Sequence, residues 1–219
     1  MENLINLLAQ TALFYKIAPV TLPATLKFLE AQKLCYEKNQ TILSADNSVP
    51  LVGIVLEGSV AVLKDDFWGN RAILTKLTVG DIFAEAFACA NLTEIPVNVI
   101  ATEKTTVLFI NYLKVTQSTP AFDAQSQLML NMLTLLARKN IFLTQKIEHL
   151  MKRSTREKIL SFLSEQATLS GQASFDIPLN RQELADYLAV DRSALSKELS
   201  RLQKEGLIYF NRHHFELKI

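Results

Sequence analysis

A chain of 219 residues, 49% of them hydrophobic, is too apolar to be disordered and long enough for two small domains. No run approaches about 18 uninterrupted apolar residues, which excludes a transmembrane helix. A formal net charge of +1 leaves whole-chain electrostatics silent about a nucleic-acid partner.

The first residues, MENLINLLAQTALFYKIAP, carry Glu2 and no early basic cluster, so they do not read as a signal peptide. Cys35 and Cys89 are too few for a disulfide framework. A reducing cytoplasm is the expected location. Residues 1–150 hold 12 Lys/Arg against 13 Asp/Glu, and residues 151–219 hold 11 against 9. That asymmetry is small, so the local placement of cations has to carry any case for DNA.

From Leu34 to Asn111 short apolar runs alternate with turn residues, as in LVGIVLEGSVAVLKDD, RAILTKLTVGD and VNVIATEKTTVLFIN. Alternation such as Val60, Val62 and Ile73, with β-branched enrichment, predicts antiparallel strands. Trp68-Gly69-Asn70 reads as a hairpin turn between two of them. Many short strands predict a sandwich, roll or barrel. Within this region GDIFAEAFACANLTEIPVNVIA, residues 80–101, frames one carboxylate, Glu85, with no Lys, Arg or His anywhere in it.

The period then changes. From Ala121 to Lys152 there is no Gly or Pro. Met129, Leu133, Leu136, Asn140, Leu143, Ile147 and Leu150 recur at alternating steps of four and three, an a/d heptad seam with one polar member. Two readings stand: a long helix packed only on its own β domain, or a homodimer along the seam with Asn140 setting register. Leu130, Ile141 and Phe142 lie off the seam and are expected to cover the β domain.

After Arg153, REKILSFLSEQA predicts an amphipathic helix with Ile159, Leu160 and Leu163 inward. SGQASFDIPL reads as a loop with a short extended piece. Then comes NRQELADYLAVDRSALSKELSRLQKEGLIYF, residues 180–210. Asn180 with Glu183 is an N-terminal capping signature. The helix it starts turns Leu184, Ala185 and Leu188 inward. Ala189-Val190-Asp191 is a tight connection, with Asp191 capping a second helix, Arg192 to Lys204, that buries Leu195, Leu199 and Leu202. Gly206 ends it. This is a helix-turn-helix.

Away from its apolar stripe the second helix shows Arg192, Ser193, Ser196, Lys197, Ser200 and Arg201. Cations and hydroxyls without an apolar patch suit a helix entering a DNA major groove. Arg192, Ser193, Ser196 and Lys197 are the candidate base contacts, Arg192 toward guanine O6 and N7. Asn180, Arg181, Gln182, Arg201 and Arg212 are the candidate phosphate contacts, Arg212 from the tip of a β-hairpin wing around Asn211-Arg212-His213. The competing reading is an αα-hairpin with a solvated charged face.

With these parts in order the chain resembles the Crp/Fnr family of bacterial transcription regulators. The resemblance rests on RQELADYLAVDRSALSKELSRLQKEGLI, on the strand rhythm, and on LEGSV and VGDIFAE with turn glycines Gly58 and Gly80. It implies an α+β fold in three parts. Residues 1–118 would form a β-roll of cyclic-nucleotide-binding type with N-terminal helices. Residues 119–152 would form a long dimerisation helix, and residues 153–219 a winged helix-turn-helix. It further implies a cytoplasmic homodimer on a two-fold symmetric operator, with RNA polymerase as a partner if the protein activates.

In relatives that bind cyclic AMP, the stretch around residues 80–101 carries a Gly-Glu pair for the ribose and an Arg-Ser pair for the phosphate. Here those pairs read Ala84-Glu85 and Pro96-Val97. The nearest alternatives, Thr93 and Asn98, are neutral, and the adenine-contacting positions fall at Leu143-Thr144. A buried anion without a cation faces several kcal/mol of desolvation, and an ionised Glu85 adds repulsion. Loss of cyclic AMP binding is therefore expected. Glu85 then either serves the fold or faces another effector.

Two cysteines cannot hold a four-cysteine iron–sulfur cluster within one subunit. His149, His213 and His214 lie outside the β domain, leaving Cys35 or Cys89 as haem ligands, and Cys89 in FACAN reads instead as a small buried hydrophobe. No cofactor is expected, and any effector is small and mostly neutral. No metal-ligand spacing, phosphate-cradling glycine loop, HExxH or nucleophile elbow is present, so no catalytic residue is assigned. The alternative function is an effector-binding scaffold whose winged helix contacts proteins.

Overall fold

The computed structural model describes residues 2–44, 51–65, 68, 71–92, 95–117 and 122–218. The chain divides into two compact units, residues 1–137 and 138–219.

In the first unit, α1 (Glu2–Gln10) and α2 (Leu22–Phe28) precede β1 (Gln32–Tyr36), β2 (Thr41–Leu43), β3 (Val52–Glu57), β4 (Val60–Asp65), β5 (Arg71–Leu77) and β6 (Ile82–Phe83). Then follow α3 (Glu85–Cys89), β7 (Asn98–Ala101), β8 (Thr105–Ile110), α4 (Leu113–Gln117) and the start of α5 (Gln125–Leu150). Two four-stranded antiparallel sheets form, ordered β1-β8-β3-β6 and β2-β7-β4-β5. In the hairpin between β4 and β5, Trp68 is exposed, while Gly69 and Asn70 lie outside the described residues.

The sheets enclose one core, in which Val55, Val107 and Phe109 from the first meet Leu43, Val60, Val99 and Ala101 from the second. The alternate residues of β3 and β8, including Ile54, Leu108 and Ile110, face a second core shared with the helices. Coverage on both faces explains why β8 is buried throughout rather than alternating in and out.

Gly53 lies at the centre of the first sheet, paired with Phe109 on one side and Phe83 on the other. Those rings meet edge-on at 6.0 Å between centroids. A Cβ on Gly53 would stand 2.2 Å from Phe83 Cζ. Only glycine fits there.

The long helix runs over 125–150, shorter at both ends than the 119–152 expected, of which 119–121 lie outside the described residues. Ala124, Leu128, Met132 and Leu135 pack into the first unit's helical core. Buried Asn131 donates to Leu13 O and Tyr15 O at 2.8 and 2.7 Å and accepts from Gln127 Nε2 at 2.8 Å. The expectation that Leu130, Ile141 and Phe142 cover the β domain is thus corrected. All three are exposed, and Phe142 sits beside Tyr187 of the second unit. Of the seam residues, Met129, Leu133, Leu143 and Ile147 are 45–66% exposed in the single chain, while Leu136 packs against the first unit's core.

The second unit continues with α6 (Thr155–Ser170), β9 (Ser174–Asp176), α7 (Arg181–Tyr187), α8 (Arg192–Lys204), β10 (Ile208–Asn211) and β11 (His214–Leu217). Its sheet is ordered β10-β11-β9, the extended piece before α7 supplying the third strand. Its core joins Ile159, Phe162 and Leu163 of α6 to Leu184, Leu195, Leu199 and Leu202 of α7 and α8, and to Phe175 and Phe215 of the sheet. Phe162 is buried where Leu160, expected inward, is half-buried.

Candidate nucleic-acid interface

The helix-turn-helix is built from local hydrogen bonds that its sequence specifies. Asn180 accepts from the Gln182 and Glu183 amides, and Glu183 returns a carboxylate to the Asn180 amide, closing a capping box at the start of α7. At its end, Val190 N–H reaches Ala185 O at 3.0 Å and Ala189 N–H reaches Asp186 O at 3.2 Å, with Ala189 at φ 47°. That is a Schellman closure with alanine where glycine is the usual residue. Asp191 then accepts from Ala194 N–H at 2.9 Å and from the Ser193 hydroxyl, capping α8. The Ser193 hydroxyl first, and the amides with it, hold the Asp191 carboxyl below its ordinary range.

With Leu195, Leu199 and Leu202 fully buried, the outer side of α8 is set: Arg192, Ser193, Lys197, Ser200 and Arg201 are exposed and Ser196 is half-buried. Arg201 pairs with Glu205 one turn on, Nε to Oε1 3.0 Å. The wing turns tightly through Arg212 and His213, since Asn211 pairs directly with His214. Arg212 stands exposed at φ 54°.

The expected phosphate contacts divide. Asn180, Gln182, Arg201 and Arg212 are exposed. Arg181 is turned to the wing instead, its guanidinium 4.8 Å from the Phe210 ring centroid and 5.1 Å from that of Phe215. Burial pushes its guanidinium below the usual arginine range. Its side chain secures the wing to α7 by cation–π contact.

Two features of this unit were invisible in sequence. His149, on the last turn of α5, is 3% exposed and lies between Ser161 Oγ at 2.9 Å and Glu165 Oε2 at 2.8 Å. The Tyr187 ring lies near Phe142, His149 and Phe162 at once, with Lys146 Nζ over its face at 5.2 Å. The end of α5 is therefore tied to α6 and α7 by one aromatic and polar cluster.

In the first unit Ala84 takes a left-handed conformation, φ 62°, at the head of α3, and Glu85 follows as the first helical residue, 5% exposed. Val97 is buried, Pro96 exposed, and Thr93 lies outside the described residues. Asn98 Nδ2 is 3.2 Å from Asp65 Oδ2, across the sheet. Leu143 and Thr144 belong to the second unit and are exposed, Thr144 donating back to Asn140 O at 2.9 Å. Cys89 is a correction: it is exposed, not a core residue. Partial desolvation and then the Glu85 charge raise its thiol above the ordinary range, which disfavours the thiolate. Among the described residues no cluster of His, Cys, Asp and Glu could hold a metal, and no helix is long and apolar enough to cross a membrane.

Residues 157–219 match the model of the Crp-like helix-turn-helix domain, and residues 33–117 that of the cyclic nucleotide-binding domain. The chain is 28% identical over 172 residues to the probable transcriptional regulator flp of Lacticaseibacillus casei, covering 78% of this chain and 76% of that protein. A local match, 36% over 66 residues, links it to the transcriptional activator protein FnrL of Cereibacter sphaeroides, spanning 26% of this chain and 27% of that one. In fold it is similar to the c-di-GMP responsive global regulator CLP of Xanthomonas campestris, with a TM-score of 0.58, 16% identity, and coverage of 92% of this chain and 100% of that one. Two domain matches in the expected order, around a capped helix-turn-helix with an exposed basic face, lead to one conclusion: the chain belongs to the Crp/Fnr family of transcription regulators.

Proposed function

We propose that the protein is a non-enzymatic, cytoplasmic homodimer that reads a two-fold symmetric operator through α8 and does not respond to cyclic AMP. The observation that carries the DNA reading is the face of α8. Three buried leucines anchor it, and Arg192, Lys197 and Arg201 stand exposed beside serine hydroxyls. Protein-contact helices present apolar anchors, and this face has none.

Arg192, Ser193, Ser196 and Lys197 are assigned to bases, and Asn180, Gln182, Arg201 and Arg212 to phosphates. Two copies paired along α5 would set their recognition helices about 34 Å apart, in successive major grooves. If the regulator activates, RNA polymerase is its further partner. Arg192→Ala is expected to lose about 1–3 kcal/mol of operator affinity and to relax preference at one base pair. Selection of sites from random duplexes, followed by binding titrations at several salt concentrations, measures both. Binding without salt dependence would favour a protein-binding scaffold, because phosphate neutralisation requires counterion release.

Support for insensitivity to cyclic AMP comes from the β-roll interior. Phe83, Ile95, Val97 and Phe109 fill it with apolar side chains, and residues 80–101 contain no cation. Calorimetric titration with cyclic AMP should release no heat and leave operator affinity unchanged. Saturable binding of the nucleotide would sink this part of the reading.

A further inference from the structure

The cations of the second unit are not all on the face that would meet DNA. Lys158, on α6, is half-buried, and its ammonium points into the turn between α7 and α8. Nζ donates to Leu188 O at 3.1 Å and lies 3.4 Å from Ala189 O. These carbonyls close α7, where the helix dipole is negative and a cation is favoured. They also flank Ala189, held in the left-handed region without the freedom of glycine. One helical turn of backbone therefore depends on a donor from another helix.

Two residues before Lys158, Arg156 reaches α8 itself: Nη1 to Glu198 Oε1 at 3.3 Å and Nη2 to Glu205 Oε2 at 2.6 Å. One partner, Glu198, is an acid on the proposed reading helix and the other, Glu205, is the residue that caps its end; uncompensated, both would repel phosphate. A single edge of α6 thus grips the connection and the body of α8.

We propose that Lys158 is a positioning residue for DNA recognition: by holding the α7–α8 turn it fixes the angle at which α8 presents Arg192 and Lys197, and it makes no phosphate contact of its own. The proposal rests on α8 being the reading helix. A surface lysine that touched phosphate would add to the salt dependence of binding, whereas a lysine spent on protein carbonyls adds nothing to it. Selectivity, by contrast, depends on base contacts whose geometry the turn controls.

The experiment compares full-length wild type with Lys158→Met and Lys158→Arg. The probes are a duplex that wild type selects from a random library and a scrambled duplex of equal composition. Amide exchange at Ala189 and Val190 is followed without DNA. Lys158→Met is expected to lower the selected-to-scrambled affinity ratio about tenfold, to leave the salt slope unchanged, and to speed exchange at those two amides about tenfold relative to Leu199 and Phe215. Lys158→Arg keeps a donor and should restore most of the ratio.

A slope that drops by about one per subunit with the turn still protected would make Lys158 a phosphate contact and overturn the proposal. Unchanged turn exchange, or acceleration spread evenly over the unit, would also overturn it. If wild type selects no duplex, the reading of α8 fails by itself, and the exchange result still decides whether Lys158 holds the turn.

Discussion

Replacing Leu143 by lysine is expected to leave the protein monomeric and to abolish operator binding at concentrations where wild type saturates. Leu143 is 55% exposed in the single chain, and Met129, Leu133 and Ile147 continue the same stripe. The heptad spacing places it at a core position of a two-stranded coiled coil, where the partner's Leu143 would face it. The substitution buries two ammonium groups side by side without a carboxylate, a cost of several kcal/mol. Operator affinity falls with it, because a monomer can hold only one half-site.

Leu136 is a poorer place for the same charge. It also packs against the core of the first unit, so Leu136→Lys would mix loss of pairing with loss of folding. Sedimentation equilibrium and fluorescence anisotropy on a selected duplex read the two effects. A Leu143→Lys protein that remains dimeric at micromolar concentration removes α5 from the interface.

Gly53→Ala should destabilise the first unit by about 1–3 kcal/mol or more, although it adds a single methyl group. The new Cβ would lie 2.2, 2.5 and 2.6 Å from three atoms at the tip of the Phe83 ring. Relief requires that ring to swing away, but it is 3% exposed and braced edge-on by Phe109. Phe83→Ala costs about 3–5 kcal/mol alone, by lost burial and the cavity left behind. In that background Gly53→Ala should be nearly neutral. Denaturant unfolding of the two single variants and the double variant measures the coupling. Additive losses would mean that Phe83 is not what forbids a side chain at residue 53.

These two expectations differ in how far the sequence could have supplied them. The helix-turn-helix was legible because its determinants are local: Asn180 with Glu183, Asp191, the Leu195-Leu199-Leu202 stripe and Gly206 all act within about one helical turn. The heptad seam was legible for the same reason. Which stripe of α5 meets the first unit was not. Leu128, Met132 and Leu135 are periodic in the same way as the stripe beside them, displaced by one residue, and a 100° rotation of a helix leaves its pattern intact.

Cys89 was misplaced because the apolar letters around it suggest burial, while it stands exposed near the end of a five-residue helix. Arg181 looked like a free cation until the wing brought Phe210 and Phe215 beneath it.

The sequence by itself determined that this is a strand-rich domain followed by a long helix and a winged helix-turn-helix whose second helix has a basic, serine-bearing outer face. Periodicity, caps and turn residues are short-range, so they survive in a string of letters. Tertiary structure alone decided that the Phe83 ring occupies the space beside Gly53, that His149 ties the end of α5 to α6, and that Lys158 is bonded to the turn between α7 and α8. Each of these joins residues at least twelve positions apart and most of them thirty or more. Such pairings exist only once the chain has closed on itself, because loop closure and packing, not local preference, select which side chains meet.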